Sequence, residues 1–455
     1  MQERAHKGVL LGLAILSFLA PLKFTHPVIL YRLVYWPHGV SDWIFSEWPN
    51  VLFYIVLILL VIVGLGIRGW RTIGRRILLL PSVFLVIQGL STLRSVDESL
   101  SKTVFALFLS LGAGFLLGAK TLKSLQDIKW IVTSWFTASI FVAWSGVHQA
   151  TGGLQELYQF LHAHPGLASH QPALWKKIEG GRIFATFVYP NALGGFVISA
   201  IFVVVAWYFI STQKMNDNMM TTTKIHGRLQ LQSEQYLCAI AALLLVIALF
   251  FCLWKSQSKG AYLSFFITLI LGSFIFIRRR PLALGFVAVV LFIAIIGFGL
   301  GYGHAALEKG NQTWRARMSY WKAAWEIGLD YPLLGSGPGT FSTMYLRYKS
   351  PESEITRLVH NNYLQMWSDS GFLGFLTFII WLPGSLILWA RRWRHVALKQ
   401  RIVPSLLWCA CTAFAIHSFV DFDLYMISNA WPIFVLLGYL ANTQPLEMKN
   451  IQDQS

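Results

Sequence analysis

Charge is scarce in this chain. Only 13% of its 455 residues are charged, and aspartate and glutamate together number 20. Soluble domains carry about 25% charged residues, so an ordinary globular fold is excluded. Cysteine is scarcer still. Cys238, Cys252, Cys409 and Cys411 all fall in apolar stretches, where they read as small buried residues rather than disulfide partners or metal ligands. Apolar and polar residues do not alternate over the long hydrophobic runs, which disfavours a β-barrel. No internal repeat is visible.

What the chain has is hydrophobicity: 55% hydrophobic residues and a mean hydropathy of +0.56. Apolar runs of roughly 20 residues, each able to cross a hydrocarbon core of about 30 Å, recur along it. Candidate spans are 8–22, 50–67, 77–93, 103–119, 130–149, 190–210, 236–254, 260–277, 282–301, 371–390, 403–420 and 425–441. The expected fold class is therefore all-α, a polytopic membrane helix bundle of about 12 transmembrane helices. Residues 25–48 read as a re-entrant or interfacial segment. Arg4 and Lys7 precede the first apolar run, which we read as an uncleaved span.

The formal charge of +17 does not imply nucleic-acid binding. The excess sits in short loops: Arg68, Arg71, Arg75 and Arg76; Lys120, Lys123 and Lys129; Lys214, Lys224 and Arg228; Arg278, Arg279 and Arg280; Arg391, Arg392, Arg394, Lys399 and Arg401. With twelve spans these five loops share one face, and positive charge makes that face cytoplasmic, with both termini. Anionic lipid or a diphosphate-bearing substrate is the other use such charge can have. Residues 1–301 then form a bundle with an outward loop at about 150–189. Residues 302–370 form a large, partly helical outward loop, and 371–455 hold the last three spans and a cytoplasmic tail.

Four outward elements carry polar chemistry. Arg182 precedes an aromatic strip and then Pro190-Asn191 at the head of a span. Proline there is ordinary for a helix start, and Asn191 can satisfy first-turn amides. Lys259 lies in the short turn Ser256–Leu263, against the charge bias; it can snorkel or face a phosphate. Arg315 and Arg317 lie in a Trp-rich stretch, 313–325, that also reads as an amphipathic interfacial helix. The Gly335-Ser336-Gly337-Pro338-Gly339 turn that follows lacks the Gly-Lys-Ser/Thr ending of a phosphate-binding loop. His360, with Asn361 and Asn362, leads directly into an apolar span. Imidazole suits a general base near neutral pH, although a lone histidine also serves as a structural residue. His417, Asp421 and Asp423 end the eleventh span on the same outer side, where they can orient His360 or a cation or form part of an ion path. His162, His164 and His170 lie in a loop with few carboxylates and read as ordinary loop residues, with no metal site expected.

In this order the elements resemble the bacterial O-antigen ligase and O-antigen polymerase family of membrane glycosyltransferases. The resemblance rests on Arg182 to Asn191, on Ser258 to Leu263, on Arg315 to Gly339, and on the His-Asn-x-x-Leu and Gly-x-x-Gly pattern from His360 to Gly374. It implies a GT-C-like, metal-independent, inverting transferase without a cofactor, in the bacterial inner membrane. The implied donor is an undecaprenyl diphosphate-linked glycan, taken at the periplasmic face. The implied acceptor is a lipid A-core, another carrier-linked repeat, or a protein hydroxyl. His360 corresponds to the family's essential histidine and Arg182 to its first essential arginine. Lys259 stands where the family's Arg-x-x-x-Leu motif has arginine, keeping the charge but losing the bidentate fork. Arg315, Arg317, Asn191 and Asn361 are the further candidates for holding diphosphate or glycan. A transporter of a small anion or glycan is the competing class.

Overall fold

The computed structural model describes residues 2–33, 39–67, 74–163, 178–221, 225–277, 281–282, 284–289 and 304–443. Much of the expected ninth span, together with Arg68, Arg71, Lys224, Arg278, Arg279, Arg280, His164 and His170, lies outside the described residues.

Fifteen helices of eight residues or more carry the described architecture. They are α1 (Gln2–Lys23), α2 (Asn50–Leu65), α3 (Arg75–Leu93), α4 (Glu98–Thr121), α5 (Leu125–His148), α6 (Leu154–Ala163), α7 (Pro190–Thr221), α8 (Ile225–Ser256), α9 (Lys259–Phe276), α10 (His304–Asp330), α11 (Phe341–Tyr348), α12 (Asn362–Ile379), α13 (Ser385–Trp393), α14 (Leu398–His417) and α15 (Ile427–Asn442). Seven segments are long and apolar enough to cross a membrane, and two shorter apolar helices, Asn50–Leu65 and Ile77–Leu93, join them. No strand occurs among the described residues, so the fold is an all-α polytopic bundle. Eleven of the twelve expected spans coincide with described helices. The 25–48 stretch holds a short 3-10 turn at Val28–Leu33 and a short helix at Val40–Phe45.

Helix ends are written into the sequence as caps. Asp97 Oδ1 accepts from Leu100 N at 3.0 Å. Ser124 and Asp127 form a reciprocal capping box. Within α12–α13, Pro383 sits in a π-turn, Ile380–Gly384, because proline cannot donate to the preceding turn. Close approach of α4 and α15 depends on glycine. A methyl group on Gly118 would collide with the Val435 carbonyl, and one on Gly438 with that of Phe115. Small residues of this kind let membrane helices pack backbone to backbone, where lipid supplies little hydrophobic drive.

Contacts sort the chain into two ends. At one end Gln2 donates to the Gly66 carbonyl (3.1 Å), His6 meets Asp127 (3.3 Å), and Asn442 donates to the Ala119 carbonyl (2.8 Å). This end includes the Lys120–Lys129 loop and both ends of the described chain, as the charge pattern requires. At the other end Thr25 donates to Thr186 O (2.9 Å), Ser428 N to Phe24 O (3.2 Å) and Asn362 N to Ser418 O (2.7 Å).

Helices α10 and α11 are folded against the bundle. Ala323, Ala324 and Ile327 of α10 pack with Phe341, Met344 and Tyr345 of α11 and with Val359. The glycine-rich turn before α11 wraps a carboxylate. Asp369 accepts from Gly339 N (2.8 Å), Phe341 N (3.0 Å), Gln365 Nε2 (2.8 Å) and Tyr425 Oη (3.2 Å). Gly335, Gly337 and Gly339 all have positive φ, the conformation that lets the turn close around this oxygen pair. The turn braces α12 and thereby the segment that leads into it, with His360 just before the Asn361 cap.

Candidate active site

His360 occupies a backbone conformation few side chains adopt, with φ of +55°. Its neighbours impose it. Val359 N donates to Gln365 Oε1 (2.8 Å), and Asn362 N donates to the Ser418 carbonyl. Asn361 caps α12, its Oδ1 accepting from Tyr363 N (3.0 Å) and Leu364 N (3.1 Å). Held at both sides, the chain turns left-handed at 360; such strain clusters at functional positions.

The imidazole lies with its Nδ1 3.4 Å from Asp421 Oδ1. Its ring meets Phe422 edge-on at 4.8 Å and stacks over Tyr320 at 6.2 Å. The Asp421 side chain is almost wholly buried, and the histidine side chain is 27% exposed, so one face of the dyad opens outward. Burial pushes the Asp421 carboxyl up. The close approach of His360, then the charges of His417 and Arg317, outweigh it and hold the group at about 2. Tyr320 is driven the other way, to about 12, by burial and by Glu354 and Tyr345 against the pull of Arg317. It therefore stands beside the imidazole as a neutral phenol.

A second dyad occupies the same turn. His417 Nδ1 lies 2.5 Å from Asp423 Oδ2, and Asp423 Oδ1 accepts from Asn429 Nδ2 at 3.0 Å. Both side chains are buried. Gly195 makes room for them, and Gly260 lies in ordinary contact with the imidazole. A methyl group on Gly195 of α7 would stand 2.9 Å from His417 Nδ1, and one on Gly260 of α9 would stand 3.6 Å from Nε2.

Those glycines tie the acidic turn to the basic elements. Gly194, beside Gly195, packs on Ser258, whose hydroxyl caps α9 by accepting from Ala261 N. Lys259 follows the cap and is exposed at the helix start. Arg182 lies alongside: Nε donates to the Ser256 carbonyl (2.9 Å) and Nη2 to Asn191 Oδ1 (2.8 Å). Tyr189, between Arg182 and Asn191, meets Phe422 edge-on at 5.4 Å. Arg182, Asn191, Lys259, His417, Asp421, Asp423 and His360 thus belong to one connected cluster.

The expected residues take unequal places in it. Arg317 is half-buried and acts electrostatically on both Asp421 and His417. Arg315, two positions earlier and so about 200° round the helix, is exposed on another face. Asn361 and Asn191 are spoken for within the fold, one as a helix cap and the other as acceptor for Arg182. Tyr189, Tyr320 and Phe422 were not singled out from sequence. Neither was Arg357, which acts on the Tyr189 hydroxyl together with Asp421. A cation three residues before His360 was the one available signal for the last of these. Among the described residues no group of three or more His, Cys, Asp or Glu side chains is placed to hold a metal ion.

No curated protein matches the chain. A family model does. The O-antigen ligase family model matches residues 240–379, from within α8 to the end of α12, a stretch that includes Lys259, Arg317 and His360.

Proposed function

We propose that this protein transfers a glycan from undecaprenyl diphosphate to an acceptor hydroxyl at the periplasmic face of the bacterial inner membrane, in the manner of an O-antigen ligase with lipid A-core as acceptor. The observation that carries this reading is the His360–Asp421 dyad, joined through Phe422 and Tyr189 to the cations of the Arg182 and Lys259 segments. Asp421 orients the imidazole, leaving Nε2 to take the proton of the acceptor hydroxyl. The acceptor oxygen attacks the anomeric carbon as the bond from that carbon to the diphosphate oxygen breaks, with inversion. Undecaprenyl diphosphate leaves with the electron pair. Arg182 and Lys259 neutralise the charge developing on it, as cations fixed before reaction do.

Glycan transfer in membranes tests the reading. His360→Ala is expected to lower transfer by about 10²–10⁴, the range for loss of a general base, and Arg182→Ala by about 10²–10³, the range for loss of one electrostatic contact. Wild-type transfer by both folded variants overturns it. The glycolipids of a deletion strain identify the acceptor. Bare core with carrier-linked polymer supports ligation. Core bearing single repeats assigns polymerisation instead.

A further inference from the structure

Three residues other than glycine hold a positive φ among the described residues: Ala185, Gln257 and His360. Each lies on a segment of the polar cluster: Ala185 beside Arg182, Gln257 between Ser256 and Lys259, and His360 against Asp421. The hydrogen bonds at Val359 and Asn362 account for His360. Ala185 needs its own account, because nothing in an alanine side chain favours the left-handed conformation.

Gln149 supplies it. This residue is half-buried and opens the π-turn Gln149–Gly153 that follows α5. Its Oε1 accepts from Phe184 N (3.0 Å) and Ala185 N (2.8 Å), and its Nε2 donates to the Ala185 carbonyl (2.9 Å). Gly146 lies one helical turn earlier on the same face and gives the loop its seat. A methyl group there would stand 3.3 Å from Ile183 Cδ1 and 3.6 Å from Ala185 Cβ.

We propose that Gln149 is a positioning residue for Arg182, holding Ala185 left-handed so that the guanidinium is presented to the cluster. This inference rests on the role given to Arg182 above. The chain enters the Arg182 stretch through Gly181, at φ +63°, and leaves it through Ala185, at φ +51°. Glycine takes the first bend at little cost. The second is imposed from outside, by a side chain on another helix. Ile183 N donates to the Lys255 carbonyl (3.3 Å), and the Thr186 hydroxyl donates to the Pro21 carbonyl (2.7 Å). Those bonds fix where the loop sits, and the Gln149 amide fixes how it turns. Asn191, which accepts from Arg182, lies beyond the Ala185 bend. A bend that relaxes therefore alters the separation of donor and acceptor.

Phenylglyoxal modifies guanidinium groups that are not held. Its rate at Arg182, followed by peptide mass spectrometry on the full-length protein in detergent, reads the clamp without any transfer assay. Gln149→Met keeps an unbranched stem and removes all three hydrogen bonds. It is expected to raise the labelling rate at Arg182 several-fold. In membranes it is expected to raise the KM for the lipid-linked donor several-fold while kcat changes less. Adding Ala185→Gly makes the left-handed bend accessible without Gln149 and is expected to return both values toward wild type. Gln149→Asn carries the same amide on a shorter stem; it is expected to act in the same direction and decides the matter where the methionine variant does not fold. Unchanged labelling in a folded variant, or faster labelling that glycine at 185 does not reverse, overturns the proposal. Faster, glycine-reversed labelling alongside wild-type transfer by Arg182→Ala would sustain the positioning while removing the part given to Arg182. Unchanged labelling alongside an inactive Arg182→Ala would do the reverse.

Discussion

Arg182 donates to Asn191 across the head of α7, Nη2 to Oδ1 at 2.8 Å, while its Nε donates to the Ser256 carbonyl at the end of α8. The arginine that would meet a diphosphate is therefore aimed by two neighbouring helices rather than by its own flexible stem. Asn191→Ala is expected to raise the KM for the lipid-linked donor several-fold while kcat changes less, because the cation remains but loses its aim. Initial-rate kinetics in membranes decide this. Equal KM in variant and wild type would show that Asn191 does no more than start the helix.

Asp421 gives a pH signature. Its folded pKa, about 2, lies below the unfolded value of about 3.9. Its contribution to stability is thus fully present above about pH 4 and is lost as pH falls through about 2. Melting of the detergent-solubilised protein should fall over this window for wild type and show a shallower acid dependence for Asp421→Asn. At neutral pH the same variant should lose transfer, since His360 Nδ1 no longer faces a carboxylate.

Asp369 is expected to matter for stability rather than chemistry. Asp369→Ala leaves the Gly339 and Phe341 amides and the Gln365 and Tyr425 side chains without their acceptor. Each buried orphan costs roughly 1–3 kcal/mol. The variant should melt well below wild type and expose the 335–341 turn to proteolysis. Unchanged melting would mean that the turn is held by its glycine packing alone.

Asn361 separates the two ways a residue beside the histidine can act. Asn361→Ala removes a cap worth about 1 kcal/mol. Asn361→Ser restores a capping oxygen without the carboxamide. If serine recovers both melting temperature and transfer, the role is that of a cap. Recovery of stability alone would point to direct contact with glycan.

Much of the fold could be read from the sequence because hydrocarbon thickness fixes helix length. Eleven apolar runs fall on described helices, although α7 runs 11 residues past its expected end, α8 begins 11 residues early and α12 begins 9 residues early, and the Lys120–Lys129 loop joined the chain's described ends on one side. The polar cluster was legible in kind but not in wiring. His360, Arg182, Lys259 and the acids after His417 could be picked out as polar groups at the mouths of spans. Nothing in their spacing says that Asp421 takes His360 while Asp423 takes His417, since that choice depends on how Gly195 admits the second dyad. Arg315 and Arg317 were equivalent as sequence and differ only through the rotation of α10. Tyr320 was hidden among the aromatics of the same helix, where one ring looks like another until its neighbour is known.

The left-handed backbone at His360 has one more consequence. Hydrogen bonds at Val359 and Asn362 hold that conformation, so the direction of the imidazole is settled when the protein folds. If His360 is the base proposed above, the entropy of aiming it is lost once, during folding, and not again in each turnover. Glycine would suit the backbone at this position better than histidine does, which makes the residue a place where preorganisation has taken precedence over conformational ease.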